Sequence, residues 1–248
     1  MNIKKRIAIG LVCVLSVALL AGGVLFMTVM ICREQLPQGF TYTAHTGCVD
    51  TADNSLEAID MGVQHGAQIV EFDLHFTADG TPVLSHDAPT GGEVLLDEAF
   101  ERVSRYEDLR VNVDVKIGTA LEKVVSLAEK HGIKDRIFFT GLFEDDVSLV
   151  QKACPGIPYW LNENVLPAEE HTDAYLQELV DLVRACGAVG INMHKNNATK
   201  ELVELFHANG LGVSLWTVND TDEMLRCMAL SPDNITTRRP DIMKTLLK

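Results

Sequence analysis

The sequence is short of basic residues. Its 21 Lys and Arg are outnumbered by 35 Asp and Glu, which gives a formal net charge of −14 at pH 7. Because binding to DNA or RNA requires a basic surface, the composition argues against a nucleic-acid partner. No pair of cysteines has CxxC or CxxxC spacing, which argues against a structural zinc site. Internal repeats and low-complexity segments are also missing, so the pattern is that of an ordinary globular chain with an acidic surface.

One long stretch near the N-terminus lacks charge altogether. Residues Ile7–Cys32 form an uncharged run of 26 residues that follows Lys4, Lys5 and Arg6. As a helix the run would reach roughly 39 Å, more than the ~30 Å hydrocarbon core of a bilayer requires. A cleaved signal peptide has an apolar region of only about 7–15 residues, and no small-x-small cleavage site ends this run. The sequence therefore predicts an uncleaved transmembrane signal anchor.

The charges beside this run predict its orientation. Three cations precede it, whereas only Arg33, next to Glu34, follows it. Since the more basic flank stays in the cytoplasm, residues 1–6 are predicted to be a cytoplasmic tail. Residues 33–40 are then a linker, and residues 41–248 form one domain outside the cell membrane on a single-pass anchor. The state of the domain's cysteines is open between one disulfide and free buried thiols, and the sequence favours the thiols at Cys48, Cys154, Cys186 and Cys227.

Short β-branched runs alternate with helical patterns after residue 40, as in βαβ units with a parallel sheet. A ninth apolar run, Pro82–Ser85, follows Asp73 too closely for a helical crossover, and Asp79-Gly80 before it is a hairpin-turn dipeptide. We therefore expect residues 76–86 to form a hairpin that extends the second strand. The other eight runs predict a (β/α)₈ TIM barrel. They are Tyr42–Thr46, Gln68–Leu74, Val111–Lys116, Arg136–Thr140, Ile157–Asn162, Val189–Met193, Gly212–Val218 and Asn234–Thr237.

Carboxylates follow one face of two predicted neighbouring strands. Glu71 and Asp73 stand at i and i+2 near the end of the second strand, so both project from the same face. Asp114 and Lys116 repeat this spacing on the third strand. The inward face of a barrel strand is packed core, where a charge needs a partner. Three carboxylates at the barrel mouth suit a hard divalent cation. The alternative is an ion-pair network with Lys116.

Two histidines are predicted beside these acids. His45 ends the first strand, and His86 ends the returning arm of the hairpin. Because the first and second strands are neighbours, both rings can converge on the carboxylates. Histidines in such a place are better explained as a general acid and a general base than as surface residues. His75 and His194 are left open, because both could lie near the mouth.

These residues stand in stretches that resemble the glycerophosphodiester phosphodiesterase family. The resemblance runs in order over residues 44–241 and is specific because many short matches occur together. The matching stretches are Ala44-His45-Thr46-Gly47, Asp53-Asn54-Ser55-Leu56-Glu57-Ala58, Val70-Glu71-Phe72-Asp73-Leu74, Thr77 to Asp87, Asn112-Val113-Asp114-Val115-Lys116, Leu215-Trp216-Thr217-Val218-Asn219 and Pro232 to Asp241.

The resemblance implies a (β/α)₈ barrel that binds Mg²⁺ or Ca²⁺ through Glu71, Asp73 and Asp114. It implies metal-dependent hydrolysis of a glycerophosphodiester, or of a lysophospholipid-type substrate, to a phosphate monoester and an alcohol. In this interpretation His45 takes a proton from the attacking oxygen, and His86 gives one to the leaving alcohol. Whether water or a hydroxyl of the substrate attacks is left open.

The resemblance also suggests substrate contacts. Lys116, together with the metal, would hold the phosphodiester. Trp216 either packs the barrel or forms a wall against the glycerol or the head group. The family usually has an Arg after its first His, as a phosphate ligand, but this chain has Thr46. Since the eighth strand of a closed barrel adjoins the first, Arg238 is predicted to lie beside Thr46 and supply that contact, with a surface cation as the alternative.

One further departure concerns the region around the mouth. Only 27 residues separate His86 from Asp114, which leaves room for one helix, at about Leu95–Tyr106, but not for the small inserted subdomain of many family members. Head-group preference is therefore open. Two other functions also stay open: a lipid phosphodiesterase of the sphingomyelinase D or phospholipase D type, and a catalytically inactive barrel used for binding.

Overall fold

The structure is a computed structural model that describes residues 23–24, 26–116 and 120–248. Its strands are β1 (Thr41–Ala44), β2 (Ile69–Phe76), β3 (Pro82–Leu84), β4 (Arg110–Val115), β5 (Ile137–Leu142), β6 (Tyr159–Glu163), β7 (Gly190–His194), β8 (Gly212–Trp216) and β9 (Asn234–Thr237). Its helices are α1 (residues 26–35), α2 (Leu56–Gln64), α3 (Leu96–Ser104), α4 (Glu122–Lys130), α5 (Glu144–Ala153), α6 (Asp173–Cys186), α7 (Lys200–Ala208), α8 (Thr221–Ala229) and α9 (Pro240–Leu246).

The sheet closes on itself. The strand order is β1-β9-β8-β7-β6-β5-β4-β2, and β1 also pairs with β2, so the first and last barrel strands are neighbours. All eight of these strands are parallel. Helices follow the barrel strands and cover the outside of the sheet. The predicted (β/α)₈ barrel is therefore confirmed.

The predicted hairpin is also present. β3 runs antiparallel to β2, with Leu74 opposite Leu84 and Phe76 opposite Pro82. Gly80 closes the turn in a left-handed conformation, with φ of 77°, which glycine adopts without strain. Because β2 continues beyond its pairing with β4, the hairpin extends past the barrel and brings His86 to the mouth.

The helices pack through apolar stripes of helical period. In α3 the fully buried positions are spaced i, i+3, i+4 and i+7, so one face meets the sheet. On that face Phe100 contacts Phe72 of β2, with ring centroids 6.2 Å apart. Helix starts are fixed by side chains that accept from a backbone N–H three residues on: Ser55, Thr172, Thr199 and Asp220. The positions of the helices around the barrel are thus determined by capping side chains at their starts as well as by their buried faces.

The barrel interior, at the mouth and below it, is polar and hydrogen-bonded. Asn192 Nδ2 donates to Asn162 Oδ1 at 3.0 Å, and Asn234 Nδ2 donates to Ser214 Oγ at 3.0 Å. Buried amides and hydroxyls are tolerated here because they satisfy one another.

The predicted anchor Ile7–Cys32 lies mostly outside the described residues. Within the part of the chain that the structure describes, every helix is too short or too polar to span a bilayer. The described end of the run belongs to α1, which continues to residue 35, into the predicted linker. Cys32 is buried, and its Sγ lies 3.6 Å from the Leu225 carbonyl oxygen of α8. The end of the run therefore packs against the barrel, while Phe26 and Ile31 are exposed.

The cysteines of the domain are free thiols. All four predicted to be unpaired are buried and none forms a disulfide: Cys48, Cys154, Cys186 and Cys227. Burial raises the pKa of Cys48, Cys154 and Cys227 to about 11, so these thiols stay protonated at neutral pH.

Candidate active site

A cavity of about 330 Å³ opens at the carboxyl end of the barrel strands. Catalytic residues of (β/α)₈ enzymes lie at this face, because the loops that follow the strands converge there. The lining contains every residue that the sequence singled out for chemistry. It consists of His45, Glu71, Asp73, His86, Asn112, Asp114, Lys116, Thr140, Asn162, Asn192, Trp216, Thr217, Thr236 and Arg238.

Three carboxylates meet on one side of this cavity. One oxygen each of Glu71, Asp73 and Asp114 lies within 4.8 Å of the others. The register explains this, because Asp73 of β2 lies directly beside Asp114 of β4, and Glu71 is two residues earlier on the same face. Burial, followed by the charges of Asp73 and Asp114, raises the pKa of Glu71 well above its usual value. Ionising all three groups therefore calls for a cation among them.

Lys116 supplies part of that positive charge. Its Nζ lies 2.9 Å from Asp73 Oδ1 and also donates to Asp114 Oδ2. Burial opposes the charge on Lys116, but these two carboxylates outweigh it and hold its pKa above the usual value. The ion-pair network that the sequence left as the alternative is thus present. It reaches only two of the three acids, since the ion pairs among described residues give Glu71 only His45 Nδ1, at 3.9 Å.

The donor set fits a hard divalent cation. Three buried carboxylates offer oxygen ligands, which such ions prefer, at a spacing that one ion could bridge. Glu71, Asp73 and Asp114 are the residues that would hold the ion. With Lys116 as the counter-ion of Asp73 and Asp114, the buried Glu71 carboxylate still lacks a positive partner of its own, and its pKa stays raised.

Neighbouring polar groups orient these acids, and sequence reasoning did not identify their roles. Asn54 Nδ2 donates to Asp73 Oδ2 at 2.9 Å, and Asn54 Oδ1 accepts from the Asp73 amide at 2.9 Å. The Thr46 amide donates to Glu71 Oε2 at 2.9 Å. The available signal was the stretch Asp53-Asn54-Ser55, which the family resemblance included without assigning it a task. On the other side, Thr140 Oγ1 lies 2.6 Å from Asp114 Oδ1.

The two candidate histidines differ in environment. His45 is mostly buried, with 24 % of its side chain exposed, and its pKa is lowered by burial and then by the positive charge of Arg238. Its Nδ1 lies 3.2 Å from the Thr46 carbonyl oxygen. This contact favours a proton on Nδ1 and leaves the Nε2 lone pair free. His86 has 68 % of its side chain exposed, and its Nδ1 lies 3.0 Å from Asp87 Oδ1.

Two more predicted residues, Trp216 and Arg238, line the cavity. Trp216, at the end of β8, is half-buried and contacts His194 edge-on, with ring centroids 5.4 Å apart. Arg238 follows β9 and pairs with Asp53, with Nη1 donating to Oδ1 at 2.5 Å and Nη2 to Oδ2 at 3.2 Å. Of the two histidines left open, His75 is buried at the hairpin and does not line the cavity, and His194 supports Trp216.

Comparison with known families identifies the class of the protein. The sequence model of the Glycerophosphoryl diester phosphodiesterase family matches residues 41–111 and 93–242, which together cover nearly all of the barrel. With the acidic mouth described above, this match defines the chain as an enzyme of the phosphoric diester hydrolase class. It belongs to the glycerophosphoryl diester phosphodiesterase family.

Relatives extend over most of the chain at low identity. Probable glycerophosphodiester phosphodiesterase 2 of Mycobacterium tuberculosis is 24 % identical over 229 residues, covering 78 % of this chain and 84 % of the relative. Glycerophosphodiester phosphodiesterase of Caldanaerobacter subterraneus is 24 % identical over 243 residues, covering 83 % and 96 %. Glycerophosphodiester phosphodiesterase 1 of Bos taurus is 42 % identical, but only over 64 residues, or 24 % of this chain and 19 % of the relative.

Solved structures share the fold. A phosphodiesterase of Oleispira antarctica, in complex with the product sn-glycerol-3-phosphate, has a TM-score of 0.70 at 20 % identity, covering 87 % of this chain and 98 % of that one. A glycerophosphodiester phosphodiesterase of Thermotoga maritima has a TM-score of 0.66 at 21 % identity, covering 84 % and 98 %.

Proposed function

We propose that this enzyme hydrolyses glycerophosphodiesters to glycerol phosphate and an alcohol, using one divalent cation and two histidines. The observation that carries the proposal is the meeting of three carboxylates and two histidines, His45 and His86, in one cavity of about 330 Å³. The neighbour from Oleispira antarctica, solved with sn-glycerol-3-phosphate, supports a glycerol phosphate product.

Glu71, Asp73 and Asp114 hold the cation in this proposal, and it is Mg²⁺ or Ca²⁺, because all three donors are hard oxygens. When bound, the cation stabilises negative charge on the phosphate oxygens. Lys116 keeps Asp73 and Asp114 in place through its ammonium group and adds positive charge beside the phosphate. Asn54 fixes the orientation of Asp73 from the other side.

His45 acts as the general base. Because burial and Arg238 lower its pKa, the ring is neutral near pH 7, and Nε2 can accept a proton from the attacking oxygen. His86 acts as the general acid. It stands on the exposed side of the mouth, beside Asp87, where an alcohol can leave into solvent. Trp216 forms a wall of the cavity against which the glycerol or the head group packs.

We also infer that the barrel is held at the outer face of a cell membrane. The uncharged run Ile7–Cys32 and the three preceding cations support this location. Within the described end of this run, the apolar side chains of Phe26 and Ile31 in α1 are exposed, as a segment that borders a bilayer would be.

A substrate panel tests the proposed reaction. The full chain is assayed against glycerophosphocholine, glycerophosphoethanolamine, lysophosphatidylcholine and bis-p-nitrophenyl phosphate, each with Mg²⁺, with Ca²⁺ and with EDTA. Release of glycerol phosphate from the first two, abolished by EDTA, is the expected result. Turnover of lysophosphatidylcholine alone would favour the lipid phosphodiesterase. If no compound is turned over with either metal, the result would favour a catalytically inactive barrel that is used for binding.

A further inference from the structure

Arg238 is positioned more firmly than a surface cation. The backbone around it is fixed at three points: its amide donates to Asn219 Oδ1 at 2.9 Å, its carbonyl accepts from the Val49 amide at 2.9 Å, and the Thr237 carbonyl accepts from the His45 amide at 2.9 Å. The loop after the last barrel strand is thereby tied to the loop after the first. Its side chain reaches the same cavity as the acid cluster.

Asp53 fixes the other end of this side chain. The two carboxylate oxygens take one N–H from each terminal nitrogen of the guanidinium, which is the bidentate arrangement of strong Arg–carboxylate pairs. The hydrogen bond from Arg238 holds the pKa of Asp53 below its usual value, so the carboxylate stays ionised. Since a guanidinium carries five N–H groups, this pair leaves three of them for another acceptor.

Gly47 provides the room for this pair. It has a φ of 68°, and a Cβ there would overlap Asp53 Oδ1 and lie 2.7 Å from Arg238 Nη1. The neighbouring Thr46 is buried, and its Oγ1 accepts from the Asn54 amide at 2.5 Å. The Thr46 side chain is therefore occupied by the backbone of Asn54. The guanidinium beside the site comes instead from Arg238, in the loop after β9.

The two permanently charged cationic side chains that line the cavity differ in how many carboxylate partners they have. Lys116 is committed to Asp73 and Asp114, so its ammonium already has two carboxylate partners. Among the described residues that line the cavity, the other permanent cation is Arg238. An incoming phosphodiester is an anion, and a guanidinium with unused N–H groups suits its non-bridging oxygens.

We propose that Arg238 binds a non-bridging phosphate oxygen of the substrate and that Asp53 is a positioning residue that holds the guanidinium in place. This inference rests on the proposed function for the identity of the ligand, a phosphate ester. It assigns to Asp53 and Gly47 a role in phosphate affinity, although neither contacts the phosphate.

The chain contains a matched control pair one residue further on. Arg239 Nε donates to Asp241 Oδ1 at 2.9 Å, and its Nη2 donates to Oδ2 at 2.7 Å. This pair has the same chemistry and its arginine has a comparable exposure, 46 % against 36 % for Arg238, but neither Arg239 nor Asp241 lines the cavity. It separates a loss of phosphate affinity from the general effect of breaking an Arg–Asp pair.

The experiment measures binding of sn-glycerol 3-phosphate to the full chain by calorimetry, in saturating Mg²⁺ or Ca²⁺. Arg238→Ala should raise Kd about 10- to 100-fold, as expected for loss of a charged hydrogen bond. Asp53→Asn and Gly47→Ala should each raise Kd about 3- to 10-fold, with Asp53→Glu closer to wild type. Arg239→Ala and Asp241→Asn should stay within about twofold, and circular dichroism should be unchanged in all variants kept for comparison.

Two results would overturn the proposal. An unchanged Kd in Arg238→Ala would show that the phosphate is bound without Arg238, by the metal and Lys116. A lower Kd in Asp53→Asn would show that Asp53 competes with phosphate rather than positioning the arginine. Because binding is measured without turnover, the result stands apart from the substrate panel. Loss of binding in Arg238→Ala with no wild-type turnover of any diester would contradict the proposed function alone.

Discussion

Glu71 illustrates how a functional group can destabilise the folded chain. It is almost fully buried, and burial together with two neighbouring carboxylates raises its pKa. The folded protein therefore binds this proton more tightly than the unfolded chain. In the absence of metal, the contribution of Glu71 to stability is most favourable at low pH, where Glu71 is protonated, and it is lost as the pH rises above the ordinary carboxyl pKa toward the raised folded value.

Replacing this charge should stabilise the metal-free protein. At pH 7.5 with EDTA, we expect Glu71→Gln to raise Tm by about 3–6 °C, which corresponds to ~1.5–2 kcal/mol for a domain of this size. The same variant should lose most of the increase in Tm that Mg²⁺ or Ca²⁺ gives the wild type. Differential scanning calorimetry measures both effects, and Glu57→Gln, at an exposed position of α2, is the control. A metal-free Tm below that of wild type would contradict the assigned repulsion.

The roles of the two histidines can be separated by the leaving group. Loss of a general acid or base costs ~10²-fold or more in kcat, so His45→Ala and His86→Ala should both be slow on glycerophosphocholine. A p-nitrophenyl leaving group needs no protonation and should therefore restore His86→Ala much more than His45→Ala. Steady-state kinetics on both substrates measures this difference. An equal recovery of activity in the two variants would contradict the assignment of His86 as the general acid and His45 as the general base.

At the scale of elements, the contact between β4 and β5 determines where Asp114 lies. Gly141 of β5 has a φ of 76°, and a Cβ there would lie 2.5 Å from the Val115 carbonyl oxygen and 2.9 Å from Asp114 Oδ1. Gly141→Ala should destabilise the fold by about 2 kcal/mol or more and should weaken metal binding, because the strand that carries Asp114 must shift. Urea unfolding and metal titration measure the two effects.

The chain offers a control for backbone strain alone. Gly156 has a φ of 84°, but a Cβ there would meet nothing within 4 Å. Gly156→Ala should cost only about 1–2 kcal/mol, the strain of a left-handed residue, and leave metal affinity unchanged. Equal effects of the two substitutions on metal affinity would contradict the role assigned to the close approach at Gly141.

The order and type of elements could be predicted from the sequence because they depend on local patterns. Alternating strands and helices indicated the barrel, and Asp79-Gly80, in a connection too short for a helical crossover, indicated the hairpin. The convergence of Glu71 and Asp73 followed from two-residue periodicity. These features need no knowledge of which atoms meet across the barrel.

The finer contacts depend on long-range packing and could not be predicted. The sequence indicated that Arg238 adjoins the first strand, but its partner, Asp53, is 185 residues away in the chain. The link from Asn54 to Asp73 requires a left-handed residue at position 54, with φ of 55°, which no local pattern specified. The packing of Cys32 against α8 was also missed, because an uncharged run was expected to end in lipid.

At the scale of the whole molecule, the proposed location of the barrel outside the cell membrane can be tested with protease. If Ile7–Cys32 anchors the chain with its domain outside, protease added to intact cells or protoplasts should release an active barrel. Cleavage is expected between the anchor and β1, in residues 33–40, because this segment lies outside the bilayer in the proposed orientation. Activity in the supernatant and amino-terminal sequencing of the fragment measure this outcome. Protection of the domain until the cells are lysed would reverse the orientation.

The hairpin has a consequence for how this enzyme could diversify. His45 directly follows β1, which is held by a neighbouring barrel strand on each side, whereas His86 follows β3, which pairs with only one barrel strand among the described residues, β2. In the proposed reaction His86 faces the leaving alcohol, so an insertion in that arm is expected to change which alcohols are accepted while Arg238 and the three carboxylates keep their positions. We therefore expect that lengthening the turn at Asp79-Gly80 by two residues alters the relative rates for choline and ethanolamine diesters, while Kd for sn-glycerol 3-phosphate stays the same. Preference for the head group and affinity for the phosphate can then evolve independently.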